Sequence, residues 1–201
     1  MTATHLWTLA ALAAAVGYLL GSIPFGVILT RLGGAGDIRQ IGSGNIGATN
    51  VLRTGRKELA AATLILDMLK ATAAVLIALR VAPGFEILAG AAAFIGHCYP
   101  VWLRFKGGKG VATMMGVCLG LSGAIALAYA LIWIGMLVVV RISSAAGLTA
   151  AISAPVAALL LGRTDLAPVL AALAAIVAWK HHENIRRLLN GTEPRIGGKR
   201  G

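Results

Sequence analysis

Apolar residues run along this chain in long blocks, and polar residues gather in the short stretches between them. The apolar runs are 6–30, 59–80, 85–103, 110–141, 145–162 and 166–180, against the roughly 20 residues that carry a helix across a bilayer core. The pattern predicts an all-α, polytopic membrane bundle forming one domain over 1–201, without a soluble domain, long linker or repeat period. The first run has only His5 before it, and Gly21-Ser22-Ile23-Pro24 leads on into more apolar sequence. It reads as a retained span rather than a cleaved signal.

The fourth run is too long for one ordinary span and carries Ser122-Gly123 near its middle. It is either one long helix or a hairpin of two short ones, and the cations decide. A hairpin gives seven crossings with the N-terminus outside. Arg31, Arg39, Arg53, Arg56, Lys57, Arg104, Lys106, Lys109, Arg141 and every cation from Lys180 to Arg200 then lie inside, leaving Arg80 and Arg163 outside. A single helix gives six crossings and moves Arg141 and the basic tail, with Lys199 and Arg200, outside. The positive-inside bias therefore predicts seven transmembrane helices, N-terminus outside and C-terminus cytoplasmic. Residues 110–121 then make only about 18 Å of helix, short of a crossing unless the bilayer thins or the segment is partly re-entrant.

A mean hydropathy of +0.85 with 12% charged residues excludes a soluble domain of this size. The net charge of +11 would suggest nucleic acid in a soluble protein. Here the cations fall in short loops, where topology and anionic headgroups account for them, so no nucleic-acid partner is expected. Cys98 and Cys118 stand in apolar surroundings without CxxC or Cys/His spacing, which predicts neither a disulfide framework nor a metal site. Alanine runs at 10–15, 89–93 and 171–175 suit close helix packing.

Three polar blocks carry the candidate chemistry. The first spans 42–53 and holds Gly42, Ser43, Gly44, Asn45, Thr49, Asn50 and Arg53; the second is Lys106-Gly107-Gly108-Lys109-Gly110; the third spans 181–187 with His181, His182, Asn184, Arg186 and Arg187. Bare backbone N–H groups beside cations are how proteins hold phosphate. The predicted topology puts all three blocks on the cytoplasmic side, where they can build one anion site.

Gly42-x-Gly44-x-x-Gly47 matches a dinucleotide fingerprint only by letters, since no parallel β unit surrounds it. The first block reads as a Gly-Ser-Gly turn entering a short helix, with Ser43 or Asn45 as cap. Its helix-start N–H groups, the Ser43 and Thr49 hydroxyls and Arg53 offer phosphate contacts; the plainer alternative is an interfacial loop. The second block is not a P-loop, because no Ser or Thr follows Lys109 and Leu103 stands where the first glycine belongs. His97, before Pro100, fits a hydrogen-bonded core histidine better than a catalyst. His181 and Asn184 are three apart and share a helix face, whereas Arg186 and Arg187 read as interfacial anchors. Asp67 and Lys70, at i and i+3 within a span, predict an ion pair that positions the first block.

These residues resemble a known family. The whole first block, Gly96-His97-x-Tyr99-Pro100 through Lys106-Gly107-Gly108-Lys109-Gly110-Val111-Ala112-Thr113, and His182-Glu183-Asn184-Ile185-Arg186-Arg187-Leu188 are similar to the three motifs of the bacterial acyl-phosphate:glycerol-3-phosphate acyltransferases (PlsY type). Gly21-Ser22-Ile23-Pro24-Phe25-Gly26 and Asp67-Met68-Leu69-Lys70 add to the likeness, which runs from about 18 to about 192. The resemblance implies an inner-membrane enzyme with a cytoplasmic active site. It would move an acyl chain from acyl phosphate to the sn-1 hydroxyl of glycerol 3-phosphate, giving lysophosphatidic acid and phosphate, the first acylation of phospholipid synthesis. It implies membrane lipid as surroundings, an upstream acyl-phosphate-forming enzyme as a partner, and no cofactor or metal. By motif position Ser43, Arg53 and Lys109 would hold phosphate groups, and His181 and Asn184 would position glycerol 3-phosphate. Gly44, Asn45, Thr49, Asn50, Gly107 and Gly108 would shape the cradle, with His97 beside it. The proton acceptor stays open between a donor phosphate oxygen and His181. A small phosphate or anion transporter is the alternative; its sites usually sit near the midplane with repeat symmetry, which this chain does not display.

Overall fold

Each apolar run becomes helix, and the runs end where the backbone meets residues that cannot continue one. The structure, a computed structural model, describes residues 2–197; Lys199 and Arg200 of the predicted inner tail lie outside the described residues. Among the described residues ten α-helices run in order: α1 Ala3–Gly21, α2 Phe25–Leu32, α3 Ala48–Leu52, α4 Lys57–Val81, α5 Glu86–Cys98, α6 Val111–Leu121, α7 Gly123–Val140, α8 Ser143–Leu160, α9 Ala167–Lys180 and α10 His182–Leu189. Two 3₁₀ turns, Ile38–Gln40 and Val101–Leu103, precede the first and second polar blocks. There is no strand among the described residues.

Five of the described helical stretches are long and apolar enough to cross a membrane: Ala3–Leu32, Lys57–Val81, Glu86–Leu103, Gly123–Val140 and Ser143–Leu160. Val111–Leu121 and Ala167–Lys180 are shorter apolar helices. The run expected as one span over 6–30 is broken at Ser22–Pro24, because Pro24 offers no N–H and disfavours helical backbone at Ile23. The fourth run breaks at Ser122, whose hydroxyl accepts the Ile125 N–H at 3.5 Å and caps α7. Of the two short helices expected there, only α6 is short; α7 has 18 residues.

The chain divides into two compact units, residues 1–121 and 122–201. In the first, α1 packs on α5, and α4 packs on α1, α5 and α6, with α2 and α3 laid against α4. The α1–α5 seam is made by glycine. A Cβ on Gly21 would stand 1.9 Å from the Ala93 carbonyl oxygen, and one on Gly17 would stand 2.3 Å from that of Ala89. This four-residue spacing of small residues brings two backbones into contact without a hydrophobic driving force from water. Ala89 and Ala93 are fully buried in it, whereas the alanines of 10–15 mostly face outward apart from Ala13. In the second unit, α8 packs between α7 and α9, and α10 follows α9 after a break at His181.

Candidate active site

The first block is organised by one buried amide. Asn50, in α3, donates from Nδ2 to the carbonyls of Ile38, Ile41 and Asn45 at 3.0, 2.8 and 2.8 Å. Its Oδ1 accepts the Ser43 N–H at 3.2 Å and Arg53 Nη1 at 3.4 Å. One side chain thus closes the loop 38–45 and steers Arg53 toward the Ser43 turn. Gly42 is needed there: its φ is +56°, and a Cβ would meet Asn50 Oδ1 at 2.6 Å and Arg53 Nη1 at 2.8 Å. The cap differs from expectation. Gly47 is the N-cap of α3, Ser43 lies too far up the chain, and Asn45 instead accepts the Gly47 N–H at 2.9 Å in an Asx turn. Ser43, Gly44, Thr49 and Arg53 are exposed.

Electrostatics single out Arg53 among its neighbours. Arg39 and Arg31 both bind Asp37, with Nη2–Oδ2 distances of 2.5 and 2.9 Å, and these two guanidiniums hold the Asp37 carboxyl well below the usual carboxylate range. Arg56 pairs with Glu58. Among the described residues no carboxylate pairs with Arg53.

The second block folds back on the end of α5. Gly108 N–H donates to the His97 carbonyl at 3.0 Å, and Gly107 N–H to that of Cys98 at 3.2 Å. These two N–H groups therefore satisfy the last carbonyls of α5 instead of standing bare, as the sequence suggested. Close approach explains the glycines, since a Cβ on Gly108 would fall 2.0 Å from His97 Nε2. Lys109 follows, half-buried, two residues before α6. Leu103, in the turn before this block, packs against the apolar cluster of Val27, Ile38, Ile46, Val51 and Ala60 that supports the first block. One cluster thus underlies both approaches to the site in this unit.

Beneath the second block lies a buried polar network. Lys70 Nζ donates to Asp67 Oδ1 at 2.7 Å and to the Ile23 carbonyl at 2.8 Å, and stands 3.0 Å from His97 Nδ1. The Lys70 and Asp67 side chains are 2% and 3% exposed. The expected ion pair is present, but it braces the Ser22–Pro24 break and His97, the anchor of the second block, rather than the first block.

In the second unit His181 is the break itself, the C-cap of α9 and the N-cap of α10, and Asn184 is the third residue of α10. Both are buried. His181 Nδ1 lies 2.8 Å from the Val177 carbonyl. A carbonyl only accepts, so Nδ1 carries a proton. His182 is exposed with Nδ1 2.9 Å from the Trp179 carbonyl, and Glu183 is exposed.

The residue missed in the sequence is Glu193. Its Oε1 accepts from Ser144 Oγ and Asn184 Nδ2, both at 2.6 Å, and its Oε2 accepts from Arg187 Nε at 2.6 Å. Burial works to raise the Glu193 pKa, but the bonds from Ser144, Asn184 and Arg187 outweigh it and hold the carboxyl below its ordinary value. Asn184 is thereby oriented by a carboxylate nine residues on. The available signal was that Glu193 is the one acidic residue after Glu183.

Residues 11–191 match the family model for glycerol-3-phosphate acyltransferase. The chain belongs to that family. A glycerol-3-phosphate acyltransferase of Erythrobacter litoralis is 56% identical over 188 residues, covering 94% of this chain and 95% of that protein. Among solved structures, PlsY, an integral membrane glycerol 3-phosphate acyltransferase, matches in its glycerol 3-phosphate form with a TM-score of 0.88 and 40% identity, covering 94% of this chain and 96% of that one. Its lysophosphatidic acid form matches with a TM-score of 0.85 and 38% identity, covering 92% and 94%. The apolar helices and this integral membrane neighbour support a multi-pass membrane protein.

Proposed function

We propose that this enzyme transfers an acyl chain from acyl phosphate to the sn-1 hydroxyl of glycerol 3-phosphate, releasing lysophosphatidic acid and phosphate, as the first step of phospholipid synthesis. The observation that carries the reading is Arg53, steered onto the Ser43 turn by Asn50 and without a carboxylate partner among the described residues. Ser43, Arg53 and Lys109 bind phosphate groups. Gly44, Asn45, Thr49, Asn50, Gly107 and Gly108 shape the backbone around them, with His97 below. His181 and Asn184 position glycerol 3-phosphate. We also propose that both units belong to one acyltransferase domain, which one family match running through 11–191 supports.

Acyl phosphate is a mixed anhydride, already activated, so the protein mainly aligns two anions that would repel each other and stabilises charge developing at the carbonyl. His181 hydrogen-bonds the acceptor molecule and positions its hydroxyl, and a phosphate oxygen of the donor takes the proton. The topology that goes with this chemistry is seven spans with a cytoplasmic C-terminus in the inner membrane, supported by the cation asymmetry. An upstream acyl-phosphate-forming enzyme supplies the donor. Donor substitution tests the assignment: purified enzyme should turn over with acyl phosphate, and robust turnover with acyl-coenzyme A as sole donor would overturn it.

A further inference from the structure

Lys70 lies on α4, inside a span, with three partners around its ammonium: Asp67 Oδ1, the Ile23 carbonyl and His97 Nδ1. An ammonium has three hydrogens and no lone pair. Three contacts saturate it, and toward His97 it can only donate. His97 Nδ1 is therefore the acceptor, and the proton of the neutral ring sits on Nε2. Asp67 Oδ1 is 3.7 Å from Nδ1, beyond hydrogen-bond range. Lys70 at 2.7 Å is the nearer counter-ion of the buried Asp67 carboxylate, with His97 Nδ1 farther off at 3.7 Å.

The opposite edge of the imidazole faces the glycine loop. Gly108 has no room for a Cβ against Nε2, and its N–H is held by the carbonyl of the same histidine. Lys109 is the next residue. The tautomer consequently decides which charge the ring shows to the loop, a donor N–H or a lone pair. A phosphate oxygen near Lys109 is attracted by the first and repelled by the second.

We propose that the buried Asp67–Lys70 pair is a tautomer lock, which keeps the His97 proton on Nε2 and so sets the 107–110 loop to receive a phosphate. Asp67 and Lys70 are positioning residues in this scheme, acting through His97. The inference rests on the acyltransferase reading for its kinetic consequence, but the tautomer itself does not depend on that reading.

The test is nitrogen-15 NMR of histidine-labelled enzyme in detergent, with the His97 signals assigned by their loss in His97→Gln. Wild type should show His97 as the neutral Nε2–H form. In the paired variant Asp67→Asn/Lys70→Met, which removes both buried charges together, that form should lose its dominance. In steady-state assays the same paired variant should raise the KM of a phosphate-bearing substrate about tenfold, with a smaller change in kcat. His97→Gln, whose amide nitrogen falls near the Nε2 position, should stay about tenfold more active than His97→Asn, whose amide falls near Nδ1. Finding wild-type His97 protonated on Nδ1, or equal activity in the two His97 variants, would overturn the proposal. A wild-type enzyme that transfers no acyl group would instead remove the acyltransferase reading and leave the NMR result to judge the lock.

Discussion

Arg53 and Lys109 carry most of the proposed phosphate recognition. A charge-assisted contact from either side chain to a phosphate oxygen is short and strong. Arg53→Ala and Lys109→Ala should each lower turnover at least about tenfold, equivalent to about 1.4 kcal/mol. Near-normal rates in both, with membrane levels unchanged, would reduce these residues to topology signals. His181 is separable from them. As a positioning residue it should tolerate His181→Gln with a raised glycerol 3-phosphate KM, whereas a wild-type KM with collapsed kcat would make it the base. Ser43, Arg53 and Lys109 stand out as candidates because hydroxyls, cations and glycines crowd where a bilayer rejects them. Asn50 was visible as a member of that crowd, but its role in closing the loop depends on carbonyls up to 12 residues away. Glu193 was hidden for the same reason, since its partners Ser144 and Asn184 lie 49 and 9 residues from it.

Helices were easier to read than their contacts. The apolar runs marked the spans, and Ser122 announced the α6–α7 break because its hydroxyl caps the start of α7. Helix seams were legible only in part: the alanine run at 89–93 marked one side of the α1–α5 seam, whereas Gly17 and Gly21 look like any other small residues until a partner backbone is placed. Gly21→Val drives a side chain into the Ala93 carbonyl and should destabilise the protein by about 1–3 kcal/mol or more. Gly135→Ala in α7, where nothing lies within 4 Å, should be neutral or slightly stabilising. Thermal unfolding in detergent compares the two. The Glu193 clamp joins the residues after α10 to α8, and its depressed pKa fixes the sign of its pH dependence. Its stabilisation is full above the ordinary glutamate pKa of about 4.3 and is lost as pH falls through the lower folded value. Glu193→Gln should lose about 1 kcal/mol at neutral pH, kept modest because Arg187 is 36% exposed. That deficit should shrink on acidification, and a deficit independent of pH would refute the charge argument.

The proposed sidedness rests on where the cations fall along the chain. A reporter fused after Arg195 should be cytoplasmic, and one placed within 162–164 should be external. A tail found outside would separate the third block from the first two across the membrane and end the single-site account. Sequence carried the class and the family because the motifs succeed one another over nearly the full length, while the paths that join them depend on packing. The most direct trial of the central claim is phosphate release from acyl phosphate by the purified enzyme, monitored with and without glycerol 3-phosphate. The account predicts release that requires glycerol 3-phosphate and matches lysophosphatidic acid mole for mole. Release that ignores glycerol 3-phosphate, or no acylated product, would contradict it.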